Sequence, residues 1–392
     1  MLNYISNLNW YDLKDTEILY LDIAEIRNLI NKGIEKSGSL SKLCLKINTA
    51  QFYNILKNNE GISVKTLKKL MIYLQIDFCT INEKIQEIRK GNICSIKNPK
   101  FPISFDNKRL GVLAGHLMSD GCLYYDKSRK NLIRTKYYSD VKEGMDNFIC
   151  DINEVFGTVH FNIINERNCL TIRIGSGVVG EFFRIAGVTI GKKYVINDHM
   201  PWVVSQGSRE TKQLYLSAVF DDEGSVGKSL YPYVILSRNI HINLTKREKK
   251  ILENCIDPVM ISRLFPTGHL TKMISIGLLK QTLKSKTYKR LLSKILNSKP
   301  NVLIDESRML KEDFDINNSV YVISLARTSN GNYSVKSSLV IRNKKDIIKF
   351  YKEIEFSLSR KRIKLKQALN EKEWLHHDDI FIQHINQEKA IV

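Results

Sequence analysis

Leu113-Ala114-Gly115-His116-Leu117-Met118-Ser119-Asp120-Gly121 is the stretch on which the fold of this chain turns. Small and apolar residues lead to an acid and a closing glycine. A partner stretch follows, Leu216-Ser217-Ala218-Val219-Phe220-Asp221-Asp222-Glu223-Gly224, starting 103 residues after the first. Gly115 and Ser119 are four apart, as are Ala218 and Asp222, so on a helix each pair shares a face. Gly115, Ser119 and Ala218 let two such helices approach closely. Gly121 and Gly224 suit a left-handed residue that ends a helix. Asp120 and Glu223 then stand at two helix exits, where a carboxylate opposes the helix dipole unless a cation is near. Two hard oxygen ligands at one seam suit Mg²⁺ (or Mn²⁺), which favours octahedral oxygen coordination with several waters. A buried helix with an incidental acid explains one such stretch; two copies, each opening a similar unit, are harder to explain that way.

Working outward, each stretch is followed by the same order of elements. In the first copy strands are expected at 123–126 and 132–138, a helix at 141–156, strands at 159–164 and 170–174, and a short helix at 181–186. In the second, a helix near 211–222 precedes strands at 233–236 and 240–245. A helix at 247–264, strands at 321–327 and 333–342 and a helix at 346–356 follow; residues 265–318 are extra and unassigned. The fold class is α+β, with an internal pseudo-twofold.

The paired stretches resemble the motifs of LAGLIDADG homing endonucleases of the single-chain, two-motif, DOD-type form, over roughly residues 108–370. That resemblance implies two αββαββα halves around paired motif helices, each laying a curved antiparallel sheet into the DNA major groove. By position, Asp120 and Glu223 are the acids that bind divalent metal. A metal-activated water would attack phosphate in line, and both strands would be cut at a long asymmetric site. A basic residue near each metal site is also implied, and Lys192 and Lys361 fall in roughly the right places. The chain departs from the family pattern at His116, Met118, Ser119, Ala218 and Asp222. Neither acid is lost, and His116 reads as a packed side chain rather than a ligand. The same fold serves in regulators without catalysis and in RNA-splicing helpers, so a silent DNA-binding regulator, or a maturase bound to intron RNA, is the alternative. Two motifs in one chain imply a monomer.

Charge agrees with a polyanionic partner. The chain has 392 residues with 61 Lys and Arg against 41 Asp and Glu, a net of +20. Residues 1–98 hold 14 basic and 10 acidic side chains, so most of the excess lies beyond them. On the strands, Arg134 and Lys136 share a face, and Arg173, Arg238, Lys336 and Arg342 are further candidates for phosphates or guanine edges. The competing reading is the solvated face of any antiparallel sheet.

Residues 1–98 read as an all-α segment resembling a helix-turn-helix. Apolar residues at 40, 43 and 44 mark one helix, and Thr49 opens the next. Gln51 and Asn54 would face base edges, with Lys57 near phosphate. The expected domains are 1–98, a linker at 99–107 punctuated by Pro99 and Pro102, a first half at 108–205, a second half with an insertion at 206–370, and a tail at 371–392. The tail's His376-His377-Asp378-Asp379 is assigned no role. Seven scattered Cys without a Cys-x-x-Cys pair indicate neither zinc nor a disulfide framework. The start carries acids and no apolar run, unlike a signal peptide, so the expected location is the cytoplasm, near the nucleoid, or an organelle.

Overall fold

The computed structural model describes residues 6–371 except 91–92, 130–131, 167–168, 229–230, 265–269, 286–287 and 329; the histidine pair of the tail lies outside the described residues. The fold is α+β. It comprises two compact units, Met1–Leu113 with Leu123–Ala186, and Ala114–Cys122 with Gly187–Val392. Among the described residues no helix is long and apolar enough to cross a membrane.

The first unit begins with helices Ile23–Ser37, Leu40–Ile47, Gln51–Asn58 and Val64–Leu74. Asp22, Ser39 and Ser63 cap three of them by accepting first-turn N–H groups. Leu29, Leu43, Phe52, Ile55, Leu67 and Leu70 form their shared core. The segment is not all-helical, however. Ile18–Leu21 pairs with Ile62–Ser63 and Ile85–Lys90, Ile93–Lys97 follows, and Thr158–Val159 completes a five-stranded antiparallel sheet. Strands of two to six residues with distant partners leave little periodicity in the sequence.

Residues 99–107 are packed rather than a free linker. Phe101, Ile103 and Phe105 are buried, Ile103–Ser104 pairs with Asn7–Leu8, and the Phe105 ring stacks on Phe182 at 4.4 Å. Apolar side chains at every second position are a strand pattern, here interrupted by Pro99 and Pro102. Burying each contributes about 1.5–3 kcal/mol. Beyond them lies a four-stranded sheet in the order Phe161–Glu166, Cys169–Ile174, Leu132–Ser139, Cys122–Asp126. Helices Lys142–Phe156 and Gly177–Ile185 cover one face, with Tyr137 stacked on Phe148 at 4.5 Å.

The second unit is built on a six-stranded antiparallel sheet. Its order is Gly224–Lys228, Pro232–His241, Tyr333–Ile341, Ser319–Arg327, Leu270–Ser275, Ile261–Leu264. Pro232–His241 is one strand, not the two short runs expected. Its alternate residues Val234, Leu236, Arg238 and Ile240 are all buried, so a charged residue sits in the middle of a core-facing row. The helix expected over 247–264 ends at Cys255. Asn301–Glu312 packs on strands Ser319–Arg327 and Tyr333–Ile341 instead. Lys212 reaches Asp313 at 2.6 Å, as in the first unit Arg109 reaches Asp151 at 3.3 Å and Glu154 at 3.1 Å. The matching pairs make Asn301–Glu312 the counterpart of Lys142–Phe156. The extra material is therefore 246–299, not 265–318.

Candidate active site

The motif stretches lie on helices Arg109–Met118 and Arg209–Glu223. At Gly115 a Cβ would stand 2.7 Å from the Tyr215 carbonyl oxygen and 2.8 Å from the Ala218 Cβ, so the close approach requires a glycine there. Gly121 and Gly224 act differently from expectation. Neither has a positive φ, Gly224 being extended at −83°. A Cβ would instead meet His116 O at 2.9 Å or Phe220 O at 2.5 Å, so both are needed for a tight exit from the helix.

Two of the unusual motif positions, 116 and 222, compensate each other. His116 Nδ1 lies 3.0 and 3.2 Å from the two Asp222 carboxylate oxygens, and the side chains are 5% and 3% exposed. The bulk of Asp222 is thus met by a partner on the facing helix. Asp221, which the sequence reading passed over, is buried and accepts from the Leu358 and Ser357 backbone N–H groups, each at 3.1 Å, and from the Ser357 hydroxyl. It ties the second motif helix to the start of helix Ser359–Asn370.

A lysine closes each motif helix. Lys193 Nζ donates to Leu117 O at 3.1 Å, Gly121 O at 2.7 Å and Ser119 O. Lys361 Nζ donates to Phe220 O at 3.1 Å, Gly224 O at 2.6 Å and Asp221 O. Cations there complement the negative helix ends. Lys193 is half-buried, and its ammonium is enclosed by carbonyls. Burial pulls its pKa down to about 8 against the pull of Glu223, and burial likewise lowers Lys361. Lys192, the residue singled out from sequence, is exposed and approaches His241 instead. The register differs by one residue, which basic side chains at both 192 and 193 conceal.

Asp120 follows the first helix. Burial, then the carboxylates of Asp222 and Glu223, push its carboxyl up to about 7, opposed by Lys193 and Lys361. Glu223 Oε1 accepts from Arg238 Nη1 at 3.1 Å. Arg238 is not a free base reader. Its five N–H groups have five acceptors: Glu306 Oε1 and Oε2 at 2.6 and 3.1 Å, Glu223, Met118 O at 2.8 Å, and Ser119 Oγ at a marginal 3.5 Å. Tyr215 donates to Glu306 Oε1 at 3.1 Å, and Glu306 is fully buried. The alternation Val234, Leu236, Arg238, Ile240 was the sequence signal for this.

A cavity of about 260 Å³ lined by Ser119, Lys193, Glu223 and Arg238 adjoins these groups. Its lining carries charged groups, and it is roomy enough for water. Among the described residues no cluster of three or more His, Cys, Asp and Glu could hold a metal. Two carboxylates supplemented by water do suit Mg²⁺ or Mn²⁺, which commonly use one or two. The acidic crowding at Asp120 is what a divalent cation would relieve. The donor set fits.

The other candidates are dispersed. Lys136 and Arg173 are register partners, and both ion-pair with Glu166. Arg134 is buried against Asp126 at 3.4 Å. Lys336 is paired in register with Asn239, on the face opposite the core, and lines a groove of about 540 Å³ with His241 and Ser334. Arg342 is exposed, its guanidinium 5.8 Å from the Tyr321 ring centre. Gln51 accepts from the Ser63 backbone at 3.3 Å and hydroxyl at 3.1 Å, which ties it to the next helix; Asn54 is exposed.

No family model and no curated protein matches this chain. Three solved structures with distant likeness are full-length DUF199/WhiA from Thermatoga maritima, the homing endonuclease I-DmoI in complex with DNA and Mn, and the homing endonuclease I-WcaI bound to its DNA recognition sequence. The first is 14% identical with a TM-score of 0.33, covering 73% of this chain and 69% of WhiA. The second is 14% identical with a TM-score of 0.30, covering 63% and 96%. The third is 14% identical with a TM-score of 0.32, covering 67% and 87%.

Proposed function

We propose that this chain is a divalent-metal-dependent DNA endonuclease of the LAGLIDADG homing type, acting as a monomer to cut both strands of a long asymmetric site. The observation that carries this reading is the doubled helix exit: an acid, a glycine and a capping lysine at the end of each of two closely packed helices. Asp120 and Glu223 would hold the ion, which would supply Lewis acidity there. Arg238, fixed by Glu306 and Tyr215, orients the Glu223 carboxylate. Lys193 and Lys361 hold the helix exits and place positive charge beside the phosphate. Lys136, Arg173, Lys336 and Arg342 contact DNA, and the helix-turn-helix-like segment adds Asn54.

The test is cleavage of a genomic or randomised duplex library with and without Mg²⁺, beside Asp120→Asn and Glu223→Gln. Metal-dependent cuts at one long site, lost in both variants, are expected. The Arg238 contact to Glu223 favours a second reading, a regulator or splicing helper whose acid is already neutralised. Binding to DNA or intron RNA without cuts under any divalent ion supports it.

A further inference from the structure

Residues 246–299 are set apart by charge. They hold 13 of the 61 Lys and Arg and three of the 41 Asp and Glu, a net of +10 in 54 residues; the other 338 carry +10 between them. A composition bias acting on the whole chain would not concentrate charge in this way.

The structure leaves six of these cations without an ion-pair partner among the described residues. All three acids of the segment are engaged: Glu248 with Lys294 at 2.9 Å, and Glu253, at 3.3 Å, and Asp257 both with Arg327. Lys246, Arg247 and Lys250 on helix Lys246–Cys255, Lys280 on Ile276–Thr282, and Lys289 and Arg290 on Lys289–Asn297 are exposed. Among the described residues none of these six has an ion-pair partner. Local stability does not explain their placement. Lys246-Arg247 and Lys289-Arg290 open their helices, where the dipole disfavours positive charge.

The apolar sides of the same helices face inward. Leu252, Leu279, Leu291 and Ile295 pack with Ile240, Leu325 and Val335 on the core side of the sheet. Asn239 and Lys336 alternate with Ile240 and Val335, so they occupy the opposite face. The cations therefore form a separate surface. It is mainly lysine, a flexible point charge that meets phosphate without bidentate base readout.

We infer that the exposed helical face of residues 246–299 is a second, sequence-independent binding surface for the backbone of duplex DNA, separate from the sheet face bearing Lys336. It holds DNA through phosphate contacts alone and so depends steeply on salt.

The test uses the full chain without divalent metal and a random-sequence DNA duplex as probe, with binding followed over a salt series. Each phosphate contact contributes about 0.9 to the slope of log K against log salt. The variant K246Q/R247Q/K250Q/K289Q/R290Q is expected to lower that slope by about two or more. The variant K246R/K250R/K289R, which keeps the charge, is expected to retain it and controls for folding. A smaller fall overturns the inference, as does a fall seen with a structured RNA but not with the duplex. Because the readout is metal-free binding, a failure to cleave would leave this outcome intact.

Discussion

Lys193 and Lys361 occupy equivalent places on two different helices: each ammonium donates to three carbonyl oxygens at a motif exit, including that of the closing glycine, Gly121 or Gly224. The equivalence extends the pseudo-twofold from the motifs to the residues that terminate them. Removing either ammonium leaves enclosed carbonyls without a donor, which costs about 1–3 kcal/mol. Lys193→Met and Lys361→Met should each lower stability by that much in urea unfolding, and both should depress cleavage. Lys192→Met should stay within about 0.5 kcal/mol of the parent. Equal losses at 192 and 193 would contradict the assignment.

Arg238 and Glu306 form a buried pair, and breaking such a pair costs about 3–5 kcal/mol. Glu306→Ala should therefore destabilise strongly. The milder Arg238→Lys should reduce cleavage while leaving the salt slope of DNA binding unchanged, because Arg238 meets no phosphate. Lys336→Ala should instead lower that slope by about 1. A fall in slope for Arg238→Lys would restore it as a DNA contact.

His116 and Asp222, far apart in sequence, are a single feature in the structure. Asp222→Ala or His116→Leu alone removes this contact from a buried polar partner, at a cost of about 1–3 kcal/mol. The double variant, which restores residue types usual for the motifs, should regain most of that. A double-mutant cycle measures the coupling; additive losses would show that the pair is not an energetic unit.

Asp120 gives a pH dependence. Its folded pKa is raised from 3.8 to about 7, so the folded state holds a proton that the unfolded state has released. The resulting stability is present below about pH 4 and is lost as pH rises through 7. Without metal, thermal stability of the parent should fall over this window relative to Asp120→Asn. Mg²⁺ should offset the fall, since metal binds the deprotonated carboxylate. Parallel curves for parent and variant would place the proton elsewhere.

The doubled motif was legible because its spacing and small residues are local in sequence. The mixed α+β class followed from the strand and helix patterns around it. What the sequence concealed depends on distant partners. Ile18–Leu21 and Ile93–Lys97 become strands only by pairing across the chain. Glu306 joins the site from a helix far beyond either motif, through Arg238 and Tyr215. Arg238 looked like a solvent-facing cation because its charge outweighed the alternation of Val234, Leu236 and Ile240 around it. The Lys192 and Lys193 choice turns on side-chain direction, which adjacent lysines do not reveal.

The most direct test of the central claim is cleavage of a duplex library by the full chain with and without Mg²⁺, beside Asp120→Asn and Glu223→Gln. Metal-dependent double-strand cuts at one long site, absent from both variants while DNA binding persists, are expected. Cleavage that survives in both variants, or no cleavage by the parent with Mg²⁺ or Mn²⁺ despite tight DNA binding, would contradict it.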